Sequence, residues 1–426
     1  MKVRRSIVAT MLGCIAATSA YGQSGFRTLT IEEAVNEAVQ RNLGLLAARA
    51  DLSVAEAALV AARVRPNPVL SGGADSLDWL GTGFSALNDA GPTEYAVRVD
   101  VPFERAGKRE LRMHVAEQTK RIAEAQIADA VRRLTLDVVL AGIDVLEAKA
   151  KLRLADDTLQ SFERLVQLNE RRLTSGAIPQ LEVSRSRVAM LQHRGNVRNA
   201  QLALTQARLK MLPLLGKKPD EEPIDIDDRL ALPRSAIAAG LNLMQQSARS
   251  TRPDLLAVRR EQARTQADLR LQLAQGKVDY TLGAEYRRQQ GVNGRGNMLG
   301  LFFSVPLPLF NRNQGEIARA EAEVDKATRS LTALETDVAG QVASAYAEFT
   351  ASRQLLDEIE RDLLEPTDQA RTGTAYVYQA GATSLLDVLD AQRAYNDTME
   401  TYYSAQAAYR RAQARLTLTI GTETAQ

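Results

Sequence analysis

The stretch Leu299–Ala322, LGLFFSVPLPLFNRNQGEIARAEA, decides the fold. Leu299, Leu301, Phe303 and Val305 fall on one face at a period of two, which is the pattern of a β-strand. Pro306 and Pro308 then stop the ladder, because proline has no amide hydrogen to donate. Asn311, Asn313 and Gly315 supply turn and helix-start chemistry, and a long helical pattern opens at Ile317. A strand joined directly to a very long helix occurs a second time, in Tyr95–Gln118, YAVRVDVPFERAGKRELRMHVAEQ, where Val101-Pro102 stands in the place of Val305-Pro306.

Working outward from these two copies, the whole chain reads as helix, strand, strand, long helix, tight turn and return helix, taken twice. Asn42–Leu52 matches Arg252–Gln262, Gly73-Ala74-Asp75 matches Gly283-Ala284-Glu285, and Gly176-Ala177 matches Gly381-Ala382. The spacing between partners stays near about 205 residues and their order is kept, which argues for an internal duplication. We expect residues 1–22 to be a signal peptide. Residues 23–215 form a first repeat, 216–250 an irregular acidic segment, and 251–426 a second repeat.

In the first repeat the expected elements are a helix over Ile31–Arg63 opened by a Thr30/Glu33 capping box, and a strand over Val69–Leu80. A second strand covers Tyr95–Phe103, a helix Lys108–Thr174 and a return helix Leu181–Leu212. The Lys108–Thr174 helix would be roughly 100 Å long and needs partner helices along its length. Short helices follow over Ser235–Arg249 and Pro253–Ala274. Strands over Val278–Gln289 and Met298–Pro306 flank a GVNGRGN linker. The helix from Ile317 carries Ala320, Val324, Ala327, Leu331, Leu334, Val338 and Val342 at alternating steps of three and four, a coiled-coil seam rich in alanine.

Composition agrees with long helices. The chain has 426 residues, 45% hydrophobic, 25% charged and 5% aromatic, with a net charge of +2. No basic block with interleaved aromatics occurs, so no nucleic-acid partner is expected. Past the N-terminus no apolar run reaches the roughly 18 residues of a transmembrane helix. Lys2, Arg4 and Arg5, the apolar Ile7–Ala17 and the small-x-small Ala20-Tyr21-Gly22 make the signal peptide. Cys14, the one cysteine, lies inside it. It is either removed with the leader or lipidated, since MLGC distantly resembles a lipoprotein cleavage box.

Catalysis is not expected. His114 and His193 are the two histidines, each in a helical stretch of arginine-rich surface, with no HExxH, nucleophile triad, Walker loop or GxGxxG. No cofactor and no resident metal site are expected.

Four strands of about ten residues with one apolar face suit a transmembrane barrel. Four cannot close one, since about eight is the practical minimum, and open edges cannot face lipid. Either several chains share one barrel, or the strands form a small soluble sheet capping a periplasmic coiled-coil scaffold.

The pattern resembles the TolC family of outer-membrane efflux proteins over nearly the whole mature chain. PFERAGKRE, SVPLPLFNRNQGEIARAEAE and LTSGAIPQLEV are most similar to its CzcC-like heavy-metal branch. The resemblance implies a mainly α fold with a small β part. A long α-helical coiled-coil barrel carries four antiparallel strands per chain into a 12-stranded transmembrane β-barrel shared by a homotrimer. It implies a periplasmic membrane-fusion adaptor and an inner-membrane, proton-driven resistance-nodulation-division pump as partners, with the duct in the outer-membrane lipid of a Gram-negative cell. Drug or protein-secretion ducts of the same family stay open. It places Gly176 and Gly381 at the periplasmic tips of the hairpins. It aligns Asp387 and Asp390 with acidic rings at the tunnel entrance, Tyr378 with a tyrosine that closes it, and Glu182 with its acidic partner. The family's gating arginine is replaced here by Thr383.

Overall fold

The computed structural model describes residues 27–81, 83, 92–220, 224–231, 240–291 and 294–421. The signal-peptide reading and Cys14 lie outside these residues. In chain order the elements are β1 (Arg27–Leu29), α1 (Ile31–Arg41), α2 (Leu43–Arg63), β2 (Val69–Asp75), β3 (Glu94–Phe103), α3 (Lys108–Thr174) and α4 (Gln180–Met211). There follow β4 (Ile224–Ile226), α5 (Leu241–Thr251), α6 (Pro253–Gln275), β5 (Tyr280–Gly291), β6 (Gly294–Ser304), α7 (Gln314–Glu358), α8 (Leu364–Gln379) and α9 (Leu385–Ile420).

The expected first helix is two helices. Asn42 takes an extended ψ of 122° and breaks the run, and its side-chain oxygen caps α2 by accepting from the Leu45 amide at 3.0 Å. Its amide nitrogen donates to the Leu214 carbonyl at 3.0 Å, so the break ties α1–α2 to the end of the return helix. The first strand is shorter than expected, ending at Asp75 before the left-handed Ser76. The GVNGRGN linker is mostly strand: β5 and β6 pair down to Gly291 and Gly294.

Chain segments at mid-height also depart from expectation. The acidic stretch KKPDEEPIDIDD is not wholly irregular. Ile224 and Ile226 are buried, and β4 pairs in parallel with β1. Lys149 and Arg208 hold Asp225 at 2.8 and 2.9 Å. Burial works against that carboxylate's charge, but the bonds from Lys149 and Arg208 win and its pKa falls below the ordinary value.

Two apolar cores lie along the helices. One joins α1, α3, β1 and β4 through Ala34, Ala38, Val138, Ile143 and Ile224; the other joins α5, α7 and α9 through Met244, Val338, Val342, Phe349 and Leu416. Small residues permit the approach: a Cβ on Gly142 would lie 2.9 Å from the Ile31 side chain. The seam residues Ala320, Ala327, Val338 and Val342 are buried as their spacing requires.

Between α7 and α8 the helix widens into one π turn, Ile359–Leu363, where Leu364 donates to Ile359. Pro366 explains it. A proline in a helix removes one amide donor and its ring crowds the carbonyl four residues back, here Asp362.

The four-stranded sheet is antiparallel in the order β2-β3-β5-β6. Its register stacks Val97 on Tyr286 and Leu299, Val99 on Ala284 and Leu301, and Val101 on Leu282 and Phe303. One face is therefore apolar across the sheet, and in the single chain it is bare: Leu301 is 91% exposed. The opposite face is charged. Arg98 pairs with Asp100 at 2.8 Å and lies over the Phe302 ring, and Arg287 reaches Glu285, Asp75 and Glu94. Gly283 makes room for the first pair, since a Cβ there would sit 2.4 Å from the Asp100 carboxylate. Among the described residues no helix is long and apolar enough to cross a membrane.

Candidate functional site: the hairpin tips

Both long hairpins end in turns of the same construction. Gly176 and Gly381 take φ of 76° and 81°, a region that favours glycine. In each, the glycine amide bonds three residues back and the next amide five residues back. Gly176 donates to Leu173 and Ala177 to Arg172, while Gly381 donates to Tyr378 and Ala382 to Val377. This satisfies helix-end carbonyls that would otherwise lack partners.

Four side chains join the two tips. Tyr378, the one buried residue of α8, is 3% exposed. Its hydroxyl donates to the amide oxygen of Asn169 on α3 at 2.8 Å, and Glu182 on α4 lies farther away at 3.5 Å. Arg172 donates to the last two carbonyls of α8, Tyr378 at 2.9 Å and Gln379 at 2.6 Å. Its guanidinium also lies 5.0 Å from the centre of the Tyr378 ring. A cation at a helix C-terminus satisfies orphan carbonyls and opposes the negative end of the helix dipole. Burial raises the Tyr378 pKa, and the neighbouring Glu182 charge adds to it, so the phenol stays a donor.

The expected Tyr378–Glu182 contact is thus the longer of two, and Asn169 takes the shorter bond. Asn169 and Arg172 are absent from the sequence reading. Asn169 could have been found: with Phe162 and Val166 it follows a four-then-three step on a buried seam, where a polar residue is out of place. Arg172 lies in the last turn of α3 and reads only as ordinary helix-end charge.

Asp387 and Asp390 are both exposed on the first turns of α9 but differ in chemistry. Asp387 is the third residue of a capping box with Ser384. Its Oδ2 accepts from Thr383 Oγ1 at 2.6 Å, Ser384 Oγ at 2.7 Å and the Ser384 amide at 3.0 Å. The Thr383 bond first, then those from Ser384, lower its pKa. Thr383 therefore supports the acid rather than replacing a latch. Asp390 faces Arg393 at 3.8 Å.

His193 is not a plain surface residue. It stacks on Phe162 with ring centres 4.2 Å apart, and burial lowers its pKa. A groove of about 480 Å3 opens above the tip, lined by Phe162, Leu165, Leu168, Arg371, Tyr378 and Gln392. Among the described residues no three His, Cys, Asp or Glu side chains gather as a metal site.

The chain's two long hairpins end in linked tips, and its sheet is apolar on one face and charged on the other. The chain belongs to the outer membrane efflux protein family, matching over residues 34–217 and 244–422. The cobalt-zinc-cadmium resistance protein CzcC of Cupriavidus metallidurans is 27% identical over 365 residues, 86% of this chain and 83% of that one. The cation efflux system protein CusC of Escherichia coli K12 is 24% identical over 94% of this chain and 89% of its own. The pyoverdine export outer membrane protein OpmQ of Pseudomonas aeruginosa is 25% identical over 89% and 81%. Among solved structures, CusC superposes with a TM-score of 0.76 at 19% identity over 95% of this chain and 96% of that one. The outer-membrane channel OprN superposes with a TM-score of 0.74 at 20% identity over 99% and 98%. The mostly helical fold with a small antiparallel sheet is that of these channels.

Proposed function

We propose that three copies of this chain form the outer-membrane duct of a tripartite, proton-driven efflux system. The duct receives divalent heavy-metal cations from a resistance-nodulation-division pump and a periplasmic adaptor and releases them outside. The four-stranded sheet carries this reading. Its two edge strands, β2 and β6, each pair on one side only, and their outer edges have no partner within the described residues. An open edge is not tolerated in lipid, so copies must close on one another, with the apolar face outward and the charged face lining the lumen. The likeness to CzcC and CusC supports metal cations as cargo. The likeness to OpmQ, at nearly the same identity, supports an organic-export duct as the second reading.

The helices of the two repeats, residues 23–215 and 251–426, form the periplasmic tunnel, with residues 216–250 as an equatorial belt. The tip cluster is the gate. Asp387 and Asp390 provide rings of three carboxylates each at its entrance, which favour cations. Tyr378, Asn169, Glu182 and Arg172 hold the second hairpin against the first.

Purified protein reconstituted into planar bilayers tests the duct. Discrete conductance from detergent-extracted outer-membrane material is the expected result. Release by osmotic shock with no conductance contradicts it and returns the soluble scaffold.

A further inference from the structure

The two strand-to-helix junctions differ in a way their shared architecture does not require. The first, after β3, is polar: Glu104 pairs with Arg112, and Lys108 holds Asp279 at 2.8 Å. It reaches α3 through Gly107, at φ 68°. The second, after β6, is five residues longer and reaches α7 through Asn313, at φ 65°. It is also apolar. Leu307, Leu309 and Phe310 stand out from it, Phe310 at 91% exposure. The shorter junction is built with Glu104, Lys108 and Arg112, so joining a strand to a long helix does not by itself call for exposed leucines and phenylalanine.

The segment is held from behind. The Leu309 amide donates to Leu307 at 2.9 Å, Arg312 Nε to the Pro308 carbonyl at 3.2 Å, and Gln314 Nε2 to the Phe310 carbonyl at 3.1 Å. Asn313 Nδ2 donates to Gln272 at 2.8 Å. These bonds hold the Leu309 amide and the Leu307, Pro308 and Phe310 carbonyls, while the side chains of Leu307, Leu309 and Phe310 are exposed. They continue the sheet's apolar face past its helix-proximal end, where Phe103, Tyr280 and Phe303 stack side by side with centres 5.4 and 6.0 Å apart. At the same end of the sheet lie Arg65, Arg105 and Arg312, exposed and without an ion pair among the described residues.

We propose that Leu307-Pro308-Leu309-Phe310 is an interfacial anchor seated in the periplasmic leaflet of the outer membrane, with phospholipid as its partner. The inference rests on the barrel reading above. An apolar wedge with arginines beside it matches the boundary between acyl chains and anionic headgroups, where such groups settle about 5–10 Å deep. Two observations favour lipid over a second copy of this chain. The wedge is continuous with the lipid-facing side of the sheet, and the charges beside it that lack an ion pair among the described residues, Arg65, Arg105 and Arg312, are all positive, which complements phosphate.

Trp79 is the one tryptophan, so Trp79→Phe gives a silent background for single reporters in the full chain. Leu301→Trp reports the mid-sheet apolar face, Phe310→Trp the wedge, and Leu309→Trp stands in should the Phe310 variant not fold. Each protein is reconstituted into vesicles of phosphatidylethanolamine and phosphatidylglycerol carrying bromine either near the headgroup or at the chain end. Chain-end bromine should remove the Leu301→Trp emission, and headgroup-level bromine should remove more of the Phe310→Trp emission than chain-end bromine does. If Leu301→Trp is quenched and Phe310→Trp is not, the anchor is wrong. Blue-shifted, unquenched emission would then assign the wedge to a neighbouring copy, and iodide-quenched emission to water. If neither reporter is quenched, the barrel reading itself is overturned and the anchor with it.

Discussion

The Tyr378 hydroxyl donates to the Asn169 amide oxygen at 2.8 Å, and Asn169 has no exposed surface at all. This bond is buried between the two hairpins and is one of the contacts that join their tips. The Asn169 Nδ2 has no partner of its own, so the pair is already under-satisfied. Tyr378→Phe strands the second polar atom of the amide and should cost about 1–3 kcal/mol locally. Amide hydrogen exchange over residues 376–382 should rise, with that over α5 and α7 unchanged. Unaltered exchange at the tip would show that the hydroxyl contributes nothing there. Because burial raises the phenol pKa, its contribution is complete below the unfolded value of about 10 and is lost only as pH rises beyond it.

Arg172 does two jobs with one planar group, bonding to two carbonyls and covering the Tyr378 ring. Lysine is a point charge and cannot reproduce both. Arg172→Lys should therefore behave like Arg172→Ala, with longer open dwell times in bilayer recordings. Since Arg172 and Tyr378 touch, a double-mutant cycle with Tyr378→Phe should show a coupling of about 0.5 kcal/mol or more. Additive effects would mean the two residues hold separate contacts.

The two acids of α9 should separate by mutation. Asp390→Asn should weaken block by trivalent cations and leave protection of residues 384–388 as it was. Asp387→Ala should lower both, because its carboxylate also caps the helix. The pKa of Asp387 is depressed, so its capping contribution is present above the ordinary Asp value of about 4 and disappears as pH falls through the folded one. Protection factors for 384–388 measured from neutral pH downward check the sign. Loss of protection on raising pH instead would contradict it.

Gly283 is the narrow point of the charged sheet face. A valine there meets the Asp100 carboxylate and the Arg98 guanidinium. Gly283→Val should lower the temperature at which the proposed trimer dissociates in detergent, read as the gel shift between unheated and heated samples. Gly73→Val is the matched control, since nothing lies within 4 Å of its Cβ position. Equal behaviour of the two would remove the packing argument.

Elements dictated by periodicity were legible in the sequence. The Lys108–Thr174 helix has the bounds its unbroken pattern sets, and the faces of β3, β5 and β6 follow their alternation. What was not legible depends on contacts remote in sequence. Asn42 breaks a helix because Leu214, far along the chain, accepts its side chain. The three-residue strand Ile224–Ile226 is too short to show a period and exists through its pairing with Arg27–Leu29. Pro366 is a local signal for the π turn, but the coiled-coil seam before it masks the break. At the site, Tyr378, Glu182, Asp387 and Asp390 came from family resemblance rather than chemistry. Arg172 and Asn169 came only from the folded chain.

The most direct test of the account is the susceptibility of a deletion strain of the host, with and without the gene restored. The panel sets zinc, cobalt, cadmium, nickel, copper and silver beside hydrophobic drugs, dyes and siderophores. Sensitivity confined to a subset of the metals is expected, reversed by the restored gene but not by a copy lacking the tip of either hairpin. Sensitivity to organic compounds with unchanged tolerance of every metal would contradict the metal-efflux assignment while keeping the duct.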